Sequence, residues 1–200
     1  MQTFANTYHN TYLQAEYSSK YQARLRNVIH RSVEANPHLA VLSYDLRFPH
    51  GTNPREIMRS KEISNCFSHL KQMLDQKCRN LPMQSQKRPH NMRFVWRRMR
   101  PSPSYCYYRC YIFINNDFLS TTGSLLSEFV INAWGAALGI HGIEAEALVH
   151  PTYDHKVFTS STHKEPRGII EHRLWNRLVY LTMKPDRLHG NQGRTFGCSR

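Results

Sequence analysis

The stretch MRFVWRRMRPSPSYCYYRCYIFIN, Met92–Asn115, decides the fold. It predicts two antiparallel strands, Met92–Arg100 and Tyr105–Asn115, joined by Pro101-Ser102-Pro103-Ser104. In the second strand Tyr105, Tyr107, Arg109, Tyr111 and Phe113 share one face, and Cys106, Tyr108, Cys110, Ile112 and Ile114 share the other. Successive side chains of a strand leave opposite faces, so this alternation is that of a half-buried strand. One face suits a core. The Tyr/Arg face suits an aromatic, cationic surface on which unstacked bases can lie. Tyrosines packed beneath a loop would give the same alternation, and both readings stand on pattern alone.

Upstream, His38–Phe48 (HLAVLSYDLRF) predicts a central strand, apolar on both faces early and polar on one face late. Its far end then carries Ser43, Asp45 and Arg47 to a site. Lys20–Ala35 places Leu25, Val28, Ile29 and Val33 on one helix side, and Asn36-Pro37 stops that helix. Arg55–Lys77 repeats Ile63, Phe67, Leu70 and Leu74 at helical spacing. Downstream, Asn115-Asn116-Asp117 turns the chain and Thr121 or Thr122 caps a helix over Gly123–Leu138, which Gly139 ends. Glu146–His150 predicts a short strand, Pro151–His163 a loop, Glu165–Lys184 a last helix and Asp186–Arg200 a basic tail. The order is βαββαβ, the ferredoxin-like arrangement. The expected class is α+β: an antiparallel sheet with both crossover helices on one face and the other face open, plus an N-terminal and a C-terminal helix. Residues 1–37 are expected to form an arm and helix, and residues 38–200 a single domain.

Lys and Arg number 27 against 14 Asp and Glu in 200 residues, for a net charge of +13. The excess is uneven. Gln76–Asn116 holds no acidic residue, yet Lys77, Arg79, Lys87, Arg88, Arg93, Arg97, Arg98, Arg100 and Arg109 all fall there. Such a stripe is the footprint of a phosphate-backbone binder, although a basic soluble protein can also carry one. No apolar run reaches membrane-spanning length and Met1–Asn10 is polar, so a cytoplasmic protein without membrane partners is expected. Cys66, Cys78, Cys106, Cys110 and Cys198 are odd in number and form no Cys-x-x-Cys pair, which points to reduced thiols rather than a disulfide framework or zinc site.

The last predicted helix buries Ile170, Leu174, Leu178 and Leu181. Arg173, Arg177, Tyr180 and Lys184 fall at i, i+4, i+7 and i+11 and so share another face. A tyrosine among cations can act as a nucleophile, because they lower its pKa and hold the phosphate it attacks. The same cations can be plain phosphate clamps beside a packed tyrosine.

Several segments together carry a family resemblance: Tyr44-Asp45-Leu46-Arg47-Phe48-Pro49, Val95-Trp96-Arg97, Phe113-Ile114-Asn115, Ala133-Trp134-Gly135-Ala136-Ala137-Leu138-Gly139, Leu148-Val149-His150-Pro151, Tyr180-Leu181 and Arg194-Thr195-Phe196-Gly197-Cys198-Ser199-Arg200. Over roughly His38–Arg200 the chain resembles the YagK/YfjJ family, prophage-borne proteins with relatives in filamentous phages that are thought to act in replication. The resemblance implies a fold similar to rolling-circle initiators and relaxases, the HUH endonucleases. There a His-hydrophobic-His pair holds a divalent metal, Mg2+ or Mn2+, and a helix tyrosine attacks the DNA phosphate. Counting back from Asn115-Asn116-Asp117, the His positions correspond to Tyr107 and Arg109, and the family's Tyr-x-x-Lys becomes Tyr180 with Met183, Lys184 falling one place late.

Tyr180, Lys184 and Arg109 are therefore the catalytic candidates. Arg109 can replace a metal's charge by a bidentate hold on phosphate, but charge replacement is not activation of a cleavage. The other possible ligands, Asp45, His50, His150 and His155, are scattered; Asp45 and His150 are the metal candidates. Arg93, Arg97, Arg98, Arg173 and Arg177 are expected on phosphates, and Tyr105, Tyr107 and Tyr111 on bases. The expected partner is single-stranded or hairpin DNA, with host or phage replication proteins a further expectation. Two rivals stay open: a working metal-dependent tyrosine endonuclease, and a phage-derived protein-partner module without DNA activity.

Overall fold

Strands that are apolar on both faces need cover on both sides, and helices supply it here. The computed structural model describes residues 16–53, 61–81, 89–102, 104–122, 126–152, 156–159, 165–184 and 195–199. Helix α1, Ser19–Ala35, starts where the Ser18 hydroxyl accepts the Tyr21 N–H. Strand β1 follows at His38–Arg47, then helix α2 at Glu62–Arg79. Strands β2, Arg93–Ser102, and β3, Tyr105–Asn115, form the predicted hairpin. Its register slips between Met99 and Ser102, where the turn begins.

At Asn115-Asn116-Asp117, where the chain is expected to turn, it passes from β3 directly into a helix. The Asn115 side chain accepts the Asp117 N–H and caps a short helix, α3, Asn116–Thr122. Helix α4, Leu126–Leu138, ends at Gly139, whose φ of 73° is left-handed. The expected strand over Glu146–His150 is instead a short helix, α5, Ile143–Glu146, followed by β4, Val149–Pro151. Within the expected Pro151–His163 loop lies a further strand, β5, Lys156–Thr159. The last helix, α6, Arg167–Leu178, is shorter than predicted and passes into a 3-10 turn at Val179–Thr182. The tail contributes an edge strand, β6, Phe196–Cys198.

The class is α+β. The sheet order is β4-β1-β3-β2-β6, with every pairing antiparallel and β5 also on β1. Because β4 pairs with Tyr44–Leu46 and β5 with His38–Val41, the two act as one interrupted edge strand. Gly197 lies across from Trp96, and a Cβ there would meet indole atoms at 2.4–2.6 Å. Only glycine lets β6 approach this ring.

The even-numbered face of β1 and β3 (Ala40, Leu42, Tyr44, Leu46, Tyr108, Cys110, Ile112 and Ile114) is buried with residues of α2 and α4. Phe48, Tyr108 and Trp134 pack edge-on or tilted there, and the Trp134 indole N–H donates to the Arg47 carbonyl at 2.7 Å. The expected open face is only partly open, which corrects the one-sided arrangement. Leu39, Val41, Val95, Tyr111, Phe113 and Phe196 build a second core with Leu25, Val28, Ile29 and Val33 of α1 and Ile170, Leu174 and Leu178 of α6. Leu25, Val28, Ile29 and Val33, which the sequence set in an N-terminal helix before residue 38, thus help cover this face. The arm over residues 1–15, the expected helix start at Arg55–Ser60, Lys87 and Arg88 of the basic stripe, His155 and most of the basic tail lie outside the described residues.

Candidate nucleic-acid interface

On β1 and β3 the second core stops at Val41 and Tyr111. Beyond it the same face of the sheet carries Asp45 and Arg47 of β1 and Tyr105, Tyr107 and Arg109 of β3. The register sets Asp45 opposite Arg109 and Arg47 opposite Tyr107. Arg97 of β2 lies opposite Arg109 on its other side, and His150 of β4 lies opposite Asp45. Period-two geometry makes all of these share one face.

Arg109 donates from Nε and Nη2 to the two Asp45 carboxylate oxygens, both at 2.7 Å. Asp45 is 8% exposed, so this bidentate pair is largely desolvated on the acid's side. Hydrogen bonding to Asp45 raises the Arg109 pKa above its ordinary value despite an opposing effect of burial. The guanidinium carbon also lies 5.7 Å from the Tyr107 ring centre, and Tyr107 lies 5.8 Å from the Tyr105 ring. Tyr105 is exposed and Tyr107 intermediate. Burial pushes the Tyr107 hydroxyl up, with Arg109 pulling the other way, so it remains a protonated donor at neutral pH.

Other predicted site residues separate. Tyr111 is 2% exposed, so its ring belongs to the second core and offers no stacking surface. Its hydroxyl instead meets the Tyr180 hydroxyl at 3.0 Å. The helical face proposed for Arg173, Arg177, Tyr180 and Lys184 is not formed, because α6 tightens into the 3-10 turn before Tyr180. Arg173 pairs with Glu165, and Lys184 with Glu16. Arg177 stays on α6. Arg97 Nη1 donates to the carbonyls of Tyr180, Leu181 and Met183 at 3.2, 2.9 and 2.6 Å. Arg93 lies at the covered end, opposite Phe113, where burial and Arg31 lower its pKa against an opposing Glu34. Arg98 lies opposite Tyr108 and so falls on the other face of the sheet, where it and Arg100 act on the Cys106 thiol. The basic stripe is therefore divided between two faces.

The donor set does not fit a divalent metal. Tyr107 and Arg109 are not metal ligands, and Arg109 occupies both oxygens of Asp45. His150 Nε2 is buried without a hydrogen-bond partner among the described residues. Among the described residues no group of three or more His, Cys, Asp or Glu is placed to share a metal ion. His50 is exposed at the turn after β1.

Two site features escaped the sequence reading. The Asp45–Arg109 pair had a usable signal: opposite charges on matching faces of strands predicted to be central. The Arg97 contacts had none, because their acceptors are backbone carbonyls distant in sequence.

The YagK/YfjJ C-terminal domain family model matches residues 1–199. The chain belongs to this family. The match includes α1 as well as the segment from His38 onward that carried the resemblance, in keeping with the place of α1 in the second core of this YagK/YfjJ C-terminal domain. No curated protein and no solved structure matches the chain. Among the described residues no helix is long and apolar enough to cross a membrane.

Proposed function

We propose that this YagK/YfjJ C-terminal domain binds single-stranded or hairpin DNA on the uncovered end of its sheet, with a degenerate nuclease centre. The observation that carries the reading is the contiguous row Tyr105, Tyr107 and Arg109, an exposed ring and a half-buried one followed by a fixed cation. Base–aromatic stacking is worth about 1–3 kcal/mol per base, so two rings can supply a useful part of a binding energy. The net charge of +13 adds the nonspecific phosphate attraction. Degeneracy is supported by the Asp45–Arg109 pair, which places an internal cation where a metal would need open ligands. The sheet is read as a ferredoxin-like core. Supporting this are the order β4-β1-β3-β2 and the helices α2 and α4 on the two crossovers. A prophage-encoded, cytoplasmic role resembling replication initiation, with host or phage replication proteins as partners, belongs to the same proposal.

The test is incubation of the full chain with labelled single-stranded and hairpin DNA, with and without Mn2+, run on native and denaturing gels. A native shift without a covalent band is expected. A Mn2+-dependent covalent band that disappears in Tyr180→Phe would replace the proposal by an active endonuclease. No shift on any substrate would replace it by a protein-partner module.

A further inference from the structure

The last four carbonyls of a helix have no partner within it. At the end of α6, Arg97 Nη1 donates to the carbonyls of Tyr180 and Leu181 in the 3-10 turn and of Met183 just past it, and the Tyr180 carbonyl also accepts the Met183 N–H at 3.2 Å. A cation at a helix C-terminus also meets the negative end of its dipole. Arg97 stands directly across from Arg109, where two like charges would repel. Asp45 neutralises one guanidinium and the carbonyl cluster holds the other, so both can stay on one face.

The residue held is Tyr180. Its carbonyl contacts Arg97, and its hydroxyl meets that of Tyr111 at 3.0 Å. The far side of the turn is tied by a second set of bonds. The Ser18 N–H donates to Thr182 at 2.9 Å, the Lys184 N–H donates to Glu16 at 2.6 Å, and Tyr17 bridges to Met183.

We infer that Arg97 is a positioning residue, which fixes Tyr180 beside the Tyr107–Arg109 row rather than contacting a phosphate. The inference rests on the interface proposed above for its functional meaning, and on the carbonyl contacts for its structural one.

The experiment introduces 3-fluorotyrosine at position 180 in the full chain and compares Arg97→Gln with Arg98→Gln. The 19F resonance should move or broaden in Arg97→Gln and stay in place in Arg98→Gln. Affinity for a single-stranded oligonucleotide should fall about tenfold in Arg97→Gln, while the slope of log K against log salt stays unchanged. An unmoved resonance with a slope reduced by about 0.7, the value for one lost phosphate contact on a single strand, would overturn the inference. If Arg97→Gln does not fold, Arg97→Lys decides. A phosphate contact survives as a point charge with an unmoved resonance, whereas loss of the Nη1 carbonyl contacts shifts the resonance. Absence of DNA binding by the parent chain would refute the interface and leave the resonance to judge Arg97.

Discussion

Asp45→Asn should weaken the fold and strengthen DNA binding. The substitution keeps the side-chain shape and removes the charge that holds Arg109. Removing one partner of a fully buried pair costs about 3–5 kcal/mol. Asp45 is nearly buried, but the Arg109 side chain is 28% exposed and can rehydrate. The asparagine carbonyl also keeps one acceptor. About 2–3 kcal/mol is therefore expected, or roughly 5–10 °C in Tm for a chain of this size. A cycle through Asp45→Asn, Arg109→Gln and the double variant, read by urea unfolding, should show coupling of about 2 kcal/mol. The released guanidinium becomes available to phosphate, so the salt slope for single-stranded DNA should steepen by about 0.7. Coupling below about 0.5 kcal/mol would refute the stability argument. An unchanged or shallower slope would refute the placement of Arg109 in the interface.

Tyr105→Ala and Tyr107→Ala should each weaken single-stranded DNA binding by about 1–3 kcal/mol with the salt slope unchanged, measured by fluorescence anisotropy; full affinity in both would remove the stacking surface. Gly197→Ala should destabilise the chain by about 1–3 kcal/mol and shift Trp emission, because its Cβ overlaps the Trp96 indole. Native emission and stability would mean that β6 does not pack as described. Burial raises the thiols of Cys66 and Cys110 above the ordinary 9.0, and also raises the Tyr44 phenol. The folded state therefore favours their protonated forms. Their stabilising effect is complete below about pH 9 and falls as pH rises toward the folded values, by up to about 1.4 kcal/mol per pH unit for each group. Urea unfolding from pH 7 to 10.5 should show that decline, and a Cys66→Ala, Cys110→Ala chain should show less of it. A slope that does not change in the double variant would contradict the assignment to the thiols.

Much of the fold was legible because the strongest signals are local. The alternation in Tyr105–Asn115 and His38–Arg47 marks strands whatever surrounds them, and the spacing of Ile63, Phe67, Leu70 and Leu74 marks a helix. The breaks at Asn36-Pro37 and Gly139 were equally local. β5 and β6 were missed because each is short and takes its order from a neighbouring strand, β1 for one and β2 for the other. The end of α6 was misplaced for a similar reason: the spacing of Tyr180 and Lys184 continued the helix, while Arg97 and residues 16–18 stabilise a tighter turn.

By itself the sequence determined the α+β class, the central hairpin and β1, and the excess of positive charge. It also placed Tyr105, Tyr107 and Arg109 on one face, because a strand's period is a property of its backbone. The tertiary structure alone decided how much of that face is open. The packing of α1 and α6 takes Tyr111 into a core, and the β1–β3 register brings Asp45 to Arg109. Both depend on contacts between residues far apart in the chain, whose partners no local period can specify.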